Sequence, residues 1–164
     1  MSHLAEQSSN APPGARPKAD GLSQAQAEDF ENRRRELLGS LDGAFAPNLV
    51  AQALTRTGLT PADLATATGA NVRTVASWLD RTGPGPRKEL HRRRLRELKE
   101  VTRFIVENGT IAYQEADWLR DPNRSADFDT PLELIARGEW QRAGRAFCDD
   151  VAAQAPSIFR ESKK

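Results

Sequence analysis

Apolar residues along this chain recur at three- and four-residue intervals between proline, glycine and asparagine breaks, which predicts an all-α fold. Over residues 23–41, Phe30, Leu37, Leu38 and Leu41 cluster toward one side of a helix with no proline and no glycine before Gly39. Residues 43–47 read as a connector, and residues 47–57 as a second helix carrying Leu49, Val50, Ala53 and Leu54. The most structured stretch is 60–80, TPADLATATGANVRTVASWLD, which predicts two short helices joined by a tight turn. Thr60-Pro61-Ala62-Asp63 is a helix start, with a hydroxyl to cap, proline at the first helical position and a carboxylate three residues on. Leu64 and Ala65 then face inward, Gly69 stands where the chain must turn at positive φ, and Asn71 can cap a helix holding Val75, Trp78 and Leu79.

After Asp80, the run Thr82-Gly83-Pro84-Gly85-Pro86 stops any helix. A long helix is expected over 87–107, with Leu98, Val101 and Ile105 on its apolar face and Leu90, Leu95 and Phe104 nearby. Asn108-Gly109 suits a left-handed cap. Residues 110–120 form a short helix with Ile111, Ala116, Trp118 and Leu119, stopped by Asp121-Pro122-Asn123. A polar loop over 124–129 leads to a second capping box, Thr130-Pro131-Leu132-Glu133, followed by Leu134, Ile135 and a stop at Gly138. The last helix, 139–153, places Trp140, Gly144, Phe147 and Val151 on one side before Pro156 ends it. Residues 1–22, rich in Ser, Ala, Pro and Gly, read as a disordered tail. The expected organisation is that tail, an N-terminal helix at 23–42, a helix-turn-helix unit with its long basic helix at 43–109, and a C-terminal region at 110–164.

Within 60–80 the spacing is that of a helix-turn-helix: Ala65 where two helices touch, Gly69 four later, Val75 six further and Trp78 three after that. Thr68 departs from the pattern by standing at a usually apolar position. The side chains offered to a DNA groove are then Asn71, Val72, Arg73, Ala76 and Ser77. Arg73 alone among them can grip guanine with two donors, and Val72 can pack on a thymine methyl. Thr74 is expected to contact phosphate or to steady the helix start, and Arg81 to face the backbone. Residues 81–103 carry nine Lys or Arg against three Glu, and within them Arg92 and Arg93 are the expected phosphate anchors. His91 lies in the same run and suits a surface role. Because one such unit reads few base pairs, DNA binding is expected to need a dimer. The other basic run, Arg33-Arg34-Arg35, is balanced by Glu28, Asp29, Glu31 and Glu36 and reads as a solvated helix face.

Charge and chemistry narrow the function further. The formal net charge of the 164 residues is only +1, so partner preference must come from charge distribution. The single cysteine, Cys148, allows no internal disulfide, which suits a reducing compartment. No apolar run is long enough for a membrane span and no signal peptide is apparent, so a cytoplasmic protein without membrane contact is expected. His3 and His91 are isolated, no metal-ligand spacing or Gly-rich phosphate loop occurs, and no nucleophile has a supporting base. These features predict a binding protein with no catalytic residues, metal or cofactor.

Taken together, the helix-turn-helix, the basic helix, Trp118-Leu119-Arg120-Asp121-Pro122-Asn123, then Thr130-Pro131-Leu132-Glu133-Leu134-Ile135 and Gly138-Glu139-Trp140-Gln141-Arg142 resemble the Xre/MbcA/ParS antitoxins. The resemblance spans about residues 49–151, leaving the first forty residues and the final tail outside it. It implies an antitoxin of a type II toxin–antitoxin pair, whose partner is a RES-domain toxin that consumes NAD, and a helix-turn-helix that represses the shared operon. It further implies that the C-terminal region captures the toxin, either as a homodimer or within a larger hetero-oligomer. On that reading Trp140, Phe147, Ile158 and Phe159 are the apolar anchors, with Arg160 beside them. Two readings compete with it: a stand-alone dimeric repressor with no toxin partner, and an adaptor whose helix-turn-helix no longer binds DNA.

Overall fold

Helices begin where the sequence supplies an oxygen for their first free N–H groups. The Ser23 hydroxyl accepts from the Gln26 N–H and opens α1 (Gln24–Asp42). Pro47 occupies the first turn of α2 (Pro47–Arg56). Thr60 and Asp63 exchange hydrogen bonds at the start of α3 (Pro61–Thr68), and Asn71 Oδ1 accepts from the Thr74 N–H at 2.7 Å to open α4 (Val72–Trp78). The long α5 (Glu89–Asn108) follows, then α6 (Glu115–Arg120) and a single 3-10 turn, Arg124–Ala126. Thr130 and Glu133 form another reciprocal cap at α7 (Pro131–Ala136), and α8 (Trp140–Ala153) ends the described chain. This computed structural model describes residues 23–109 and 115–153; expectations for the N-terminal tail, Ile111, Pro156, Ile158, Phe159 and Arg160 lie outside those residues. Among the described residues every element is helical, as the periodicity predicted, and no helix is long and apolar enough to cross a membrane.

The amphipathic α5 is the central strut. Its inner face buries Leu95, Leu98, Val101, Ile105 and Val106, and α1, α2, α3, α7 and α8 all pack against it. One continuous apolar core runs from Leu41, Leu54, Leu64, Val75 and Trp78 to Leu119, Leu134, Ile135 and Phe147. Within it α3 has neighbours on several sides, touching α4, α5 and α7.

Buried carboxylates tie distant segments of the chain together. Arg33 donates from both terminal nitrogens to Glu115, at 3.1 and 3.0 Å, and Glu115 is only 5 % exposed. Arg34 donates to the Gly109 carbonyl and lies 4.6 Å from the centre of the Phe30 ring. The Arg33-Arg34-Arg35 run is therefore not simply a solvated face: two of its three guanidiniums fasten α1 to the far end of α5 and the start of α6. Arg120 similarly donates to buried Asp63 at 2.9 Å and to the Gly58 carbonyl at 2.7 Å. A second correction concerns Gly109, which is extended (φ −75°, ψ 160°) instead of left-handed. Its N–H still returns to the Ile105 carbonyl, and its own carbonyl accepts from Arg34.

Candidate functional site

The turn between α3 and α4 is built from three short-range devices. Gly69 takes φ 80°, a conformation costly for any residue with a Cβ, and its N–H closes α3 onto Ala65. Thr68, at the usually apolar position, is buried without an unmet hydroxyl, because Oγ1 donates to the Leu64 carbonyl at 2.7 Å and accepts from the Ala70 N–H. Asn71 then caps α4, whose Val75 and Trp78 are buried while Asn71, Val72, Arg73, Ala76 and Ser77 face outward. Val72 is half exposed. Thr74 is partly buried, and its carbonyl accepts from the Ser77 hydroxyl at 2.6 Å.

The loop after α4 is pressed onto that helix. A Cβ on Gly83 would lie 2.8 Å from the Ser77 carbonyl oxygen, so only glycine allows the approach. Asp80 is held ionised below the ordinary carboxylate range by the Thr82 N–H first and its hydroxyl second, which turns its charge into the loop. Between α4 and the start of α5 lies a hollow of about 540 Å³, edged by Asn71, Thr74, Ser77, Arg87, Lys88 and His91. His91 rests against Trp78 with ring centres 5.4 Å apart. Burial, and then the neighbouring Lys88 charge, keep the His91 imidazole below its ordinary pKa.

The cations expected to meet DNA divide into two groups. Arg73 and Arg81 are exposed and make no side-chain hydrogen bond or ion pair among the described residues. Arg92 is engaged within the chain, donating from Nε to the Pro86 carbonyl at 2.9 Å and pairing with Glu89 at 3.7 Å. Arg93 pairs with the buried Glu97 at 3.1 Å. Two residues not singled out from sequence, Arg87 and Lys88, are exposed on the rim of the hollow with their charges uncommitted among the described residues. Their position just after the proline-glycine stop was the available signal, since a helix start projects its first side chains beside the preceding turn.

The C-terminal helices offer a different surface. Trp140 is partly buried and borders a groove of about 350 Å³ between α5 and α8, together with Val101, Phe104, Gly144 and Cys148. Phe147 is not on that surface. It is 1 % exposed and packs edge-on against Phe104 and Trp118, with ring centres 5.7 and 5.3 Å away, so it belongs to the core and is withdrawn from any partner. The loop over 123–129 carries an exposed aromatic, Phe128, 69 % exposed, with φ 68° beside Asp127 at φ 56°.

Curated relatives that align with this chain include the "Mycobacterial cidal antitoxin MbcA" of two strains of Mycobacterium tuberculosis and the protein of the same name from Mycobacterium bovis. Each is 32 % identical over 94 residues, which is 57 % of this chain and 80 % of the relative. The chain belongs to the MbcA family of antitoxins. No protein-family model matches it, and no solved structure matches it.

In this MbcA-type antitoxin the C-terminal motif residues are mostly internal supports. Trp118 Nε1 and Asn123 Nδ2 both donate to Asp150 Oδ2, at 2.7 and 2.8 Å, joining α6 and the 123–129 loop to α8. Thr130 caps α7, and Arg142 pairs with Asp127 at 2.6 Å. Such residues set the shape of the surface, and the neighbours they hold in place are the ones presented to solvent.

Proposed function

We propose that this antitoxin neutralises a RES-domain, NAD-consuming toxin through its C-terminal helices and tail, and represses its own operon through the α3–turn–α4 unit. The observation that carries the DNA half is the outward face of α4 beside uncommitted cations: Asn71, Val72, Arg73 and Ser77 are exposed, with Arg73 and Arg81 free of internal ion pairs among the described residues. In this reading Arg73 and Val72 read base edges, while Thr74 and Arg81 meet phosphates. Arg92 and Arg93 contribute to the field of the basic run, and Arg87 and Lys88 stand closer to uncommitted phosphate contacts. A homodimer places two such units on adjacent half-sites.

Membership in an antitoxin family supports the toxin half. The proposed contact is Trp140 with the tail residues Ile158, Phe159 and Arg160, excluding the buried Phe147. The test is co-expression of the chain with the product of the adjacent reading frame, followed by copurification, growth and cellular NAD. Recovery of a complex, restored growth and preserved NAD are expected. NAD that stays intact when the neighbouring product is expressed alone would remove the RES assignment. Operator binding with no copurifying partner would favour the stand-alone repressor.

A further inference from the structure

Phe128 is held in a conformation that large side chains avoid, and it is held there in solvent. Its φ of 68° and that of Asp127, 56°, put two consecutive non-glycine residues in the left-handed region. An aromatic residue there is a true outlier, tolerated only where surrounding bonds fix the backbone. Those bonds are present. The Asn123 carbonyl accepts from the Ala126 and Phe128 N–H groups at 3.0 and 2.8 Å, and the Asn123 N–H donates to the Asp129 carbonyl at 3.0 Å. The Asn123 side chain is itself buried, accepting from the Ser125 N–H and donating to Asp150. Arg142 and Arg137 pair with Asp127 and Asp129, the two carboxylates flanking the ring, so their charges are met from within the chain.

The result is a rigid knob with an aromatic tip, 69 % exposed. Phe45 is also exposed, yet it lies under the Lys99 ammonium, 5.6 Å from its ring centre, and is outside the left-handed region. A clamped loop contributes nothing to the core by pointing phenylalanine outward. It does prepare an anchor whose conformational freedom is already lost before a partner arrives, which is how a few aromatic residues come to dominate an interface.

We infer that Phe128 is an anchor of the toxin interface, inserting into an apolar pocket of the toxin protein. This rests on the proposal that the chain has a toxin partner, and it adds a contact point on the 123–129 loop, distinct from Trp140 and the tail.

The experiment titrates the full-length chain with the purified product of the adjacent reading frame, and records thermal melting of the antitoxin alone. Phe128→Gly removes the ring and suits a left-handed position, so Kd should rise about tenfold or more while Tm holds or increases. Phe128→Asn, which also tolerates that conformation, should behave alike, and Phe45→Ala should bind as the parent does. Unchanged affinity in both Phe128 variants would overturn the assignment. A fall in Tm of both variants together with weakened binding would make the ring structural and overturn it too. A changed sedimentation coefficient of the antitoxin with an unchanged Kd would assign the ring to self-association instead. If the parent chain itself fails to bind, the toxin reading falls, a result separable from failure of Phe128 alone.

Discussion

At the scale of single residues, commitment decides role. A guanidinium already bonded inside the chain contributes field, whereas an uncommitted one can meet a new anion. Arg73→Ala is expected to weaken specific operator binding by about 1–3 kcal/mol and relax discrimination at one base pair, read by footprinting across single-base operator variants. Arg87→Ala and Lys88→Ala should instead weaken all sequences alike and each reduce the salt slope by about one unit, read by titration at several salt concentrations. Equal salt slopes in parent and variants would send the phosphate role back to Arg92 and Arg93. His91 makes a separate prediction. Its folded pKa lies below the ordinary 6.5, so the unfolded chain binds the proton more readily. The stability it contributes is present above 6.5 and is lost as pH falls through the lower folded value. Urea midpoints should therefore drop as pH falls below 6.5, and His91→Gln should flatten that part of the profile. The paired carboxylates Asp42 and Glu139, lowered chiefly by hydrogen bonds from Arg103 and Arg137, begin below their ordinary 3.8 and 4.5 and do not obscure that window.

At the scale of elements, what was legible in the sequence was what is settled within four residues. The Thr60, Asn71 and Thr130 caps, the Gly69 turn and the buried Val75 and Trp78 all follow from neighbours in the chain, and all are present. The pairings Arg33–Glu115 and Arg120–Asp63 were not legible, because they join positions 82 and 57 residues apart and depend on the finished packing. Phe147 misled for the same reason: its helical face was readable, but whether α5 and α6 would cover it was not. Phe128 escaped notice inside a polar loop, since its exposure comes from bonds made by Asn123 and α8. The α3–α4 turn offers a direct measurement. A Cβ on Gly69 meets nothing within 4 Å, so Gly69→Ala isolates the backbone effect of φ 80°. It should cost about 1–2 kcal/mol in denaturant unfolding. A smaller loss would mean that the turn relaxes to another conformation, and the operator affinity of the variant would then fall as well.

At the scale of the whole molecule, the described helices share one core, and two part-buried ion pairs tie α1 and α3 to α6. Unfolding should accordingly be a single transition. Near-ultraviolet and far-ultraviolet circular dichroism should give coincident urea curves, and two separated steps would show that the halves are held together less firmly than their packing requires. The position of α3 has a consequence for how such a protein can change. One side of α3 meets α4 and α5, and α7 packs on it as well, with Asp63 tied to Arg120. The α3–turn–α4 unit is therefore not a cassette. A hybrid that joined residues 23–109 to the C-terminal half of a distant relative would set a foreign helix against α3 and replace the segment that supplies Arg120 to Asp63. On the proposed function, new operator preferences would open mainly through the outward row of α4, where Val72, Arg73 and Ala76 make no side-chain hydrogen bond or ion pair among the described residues.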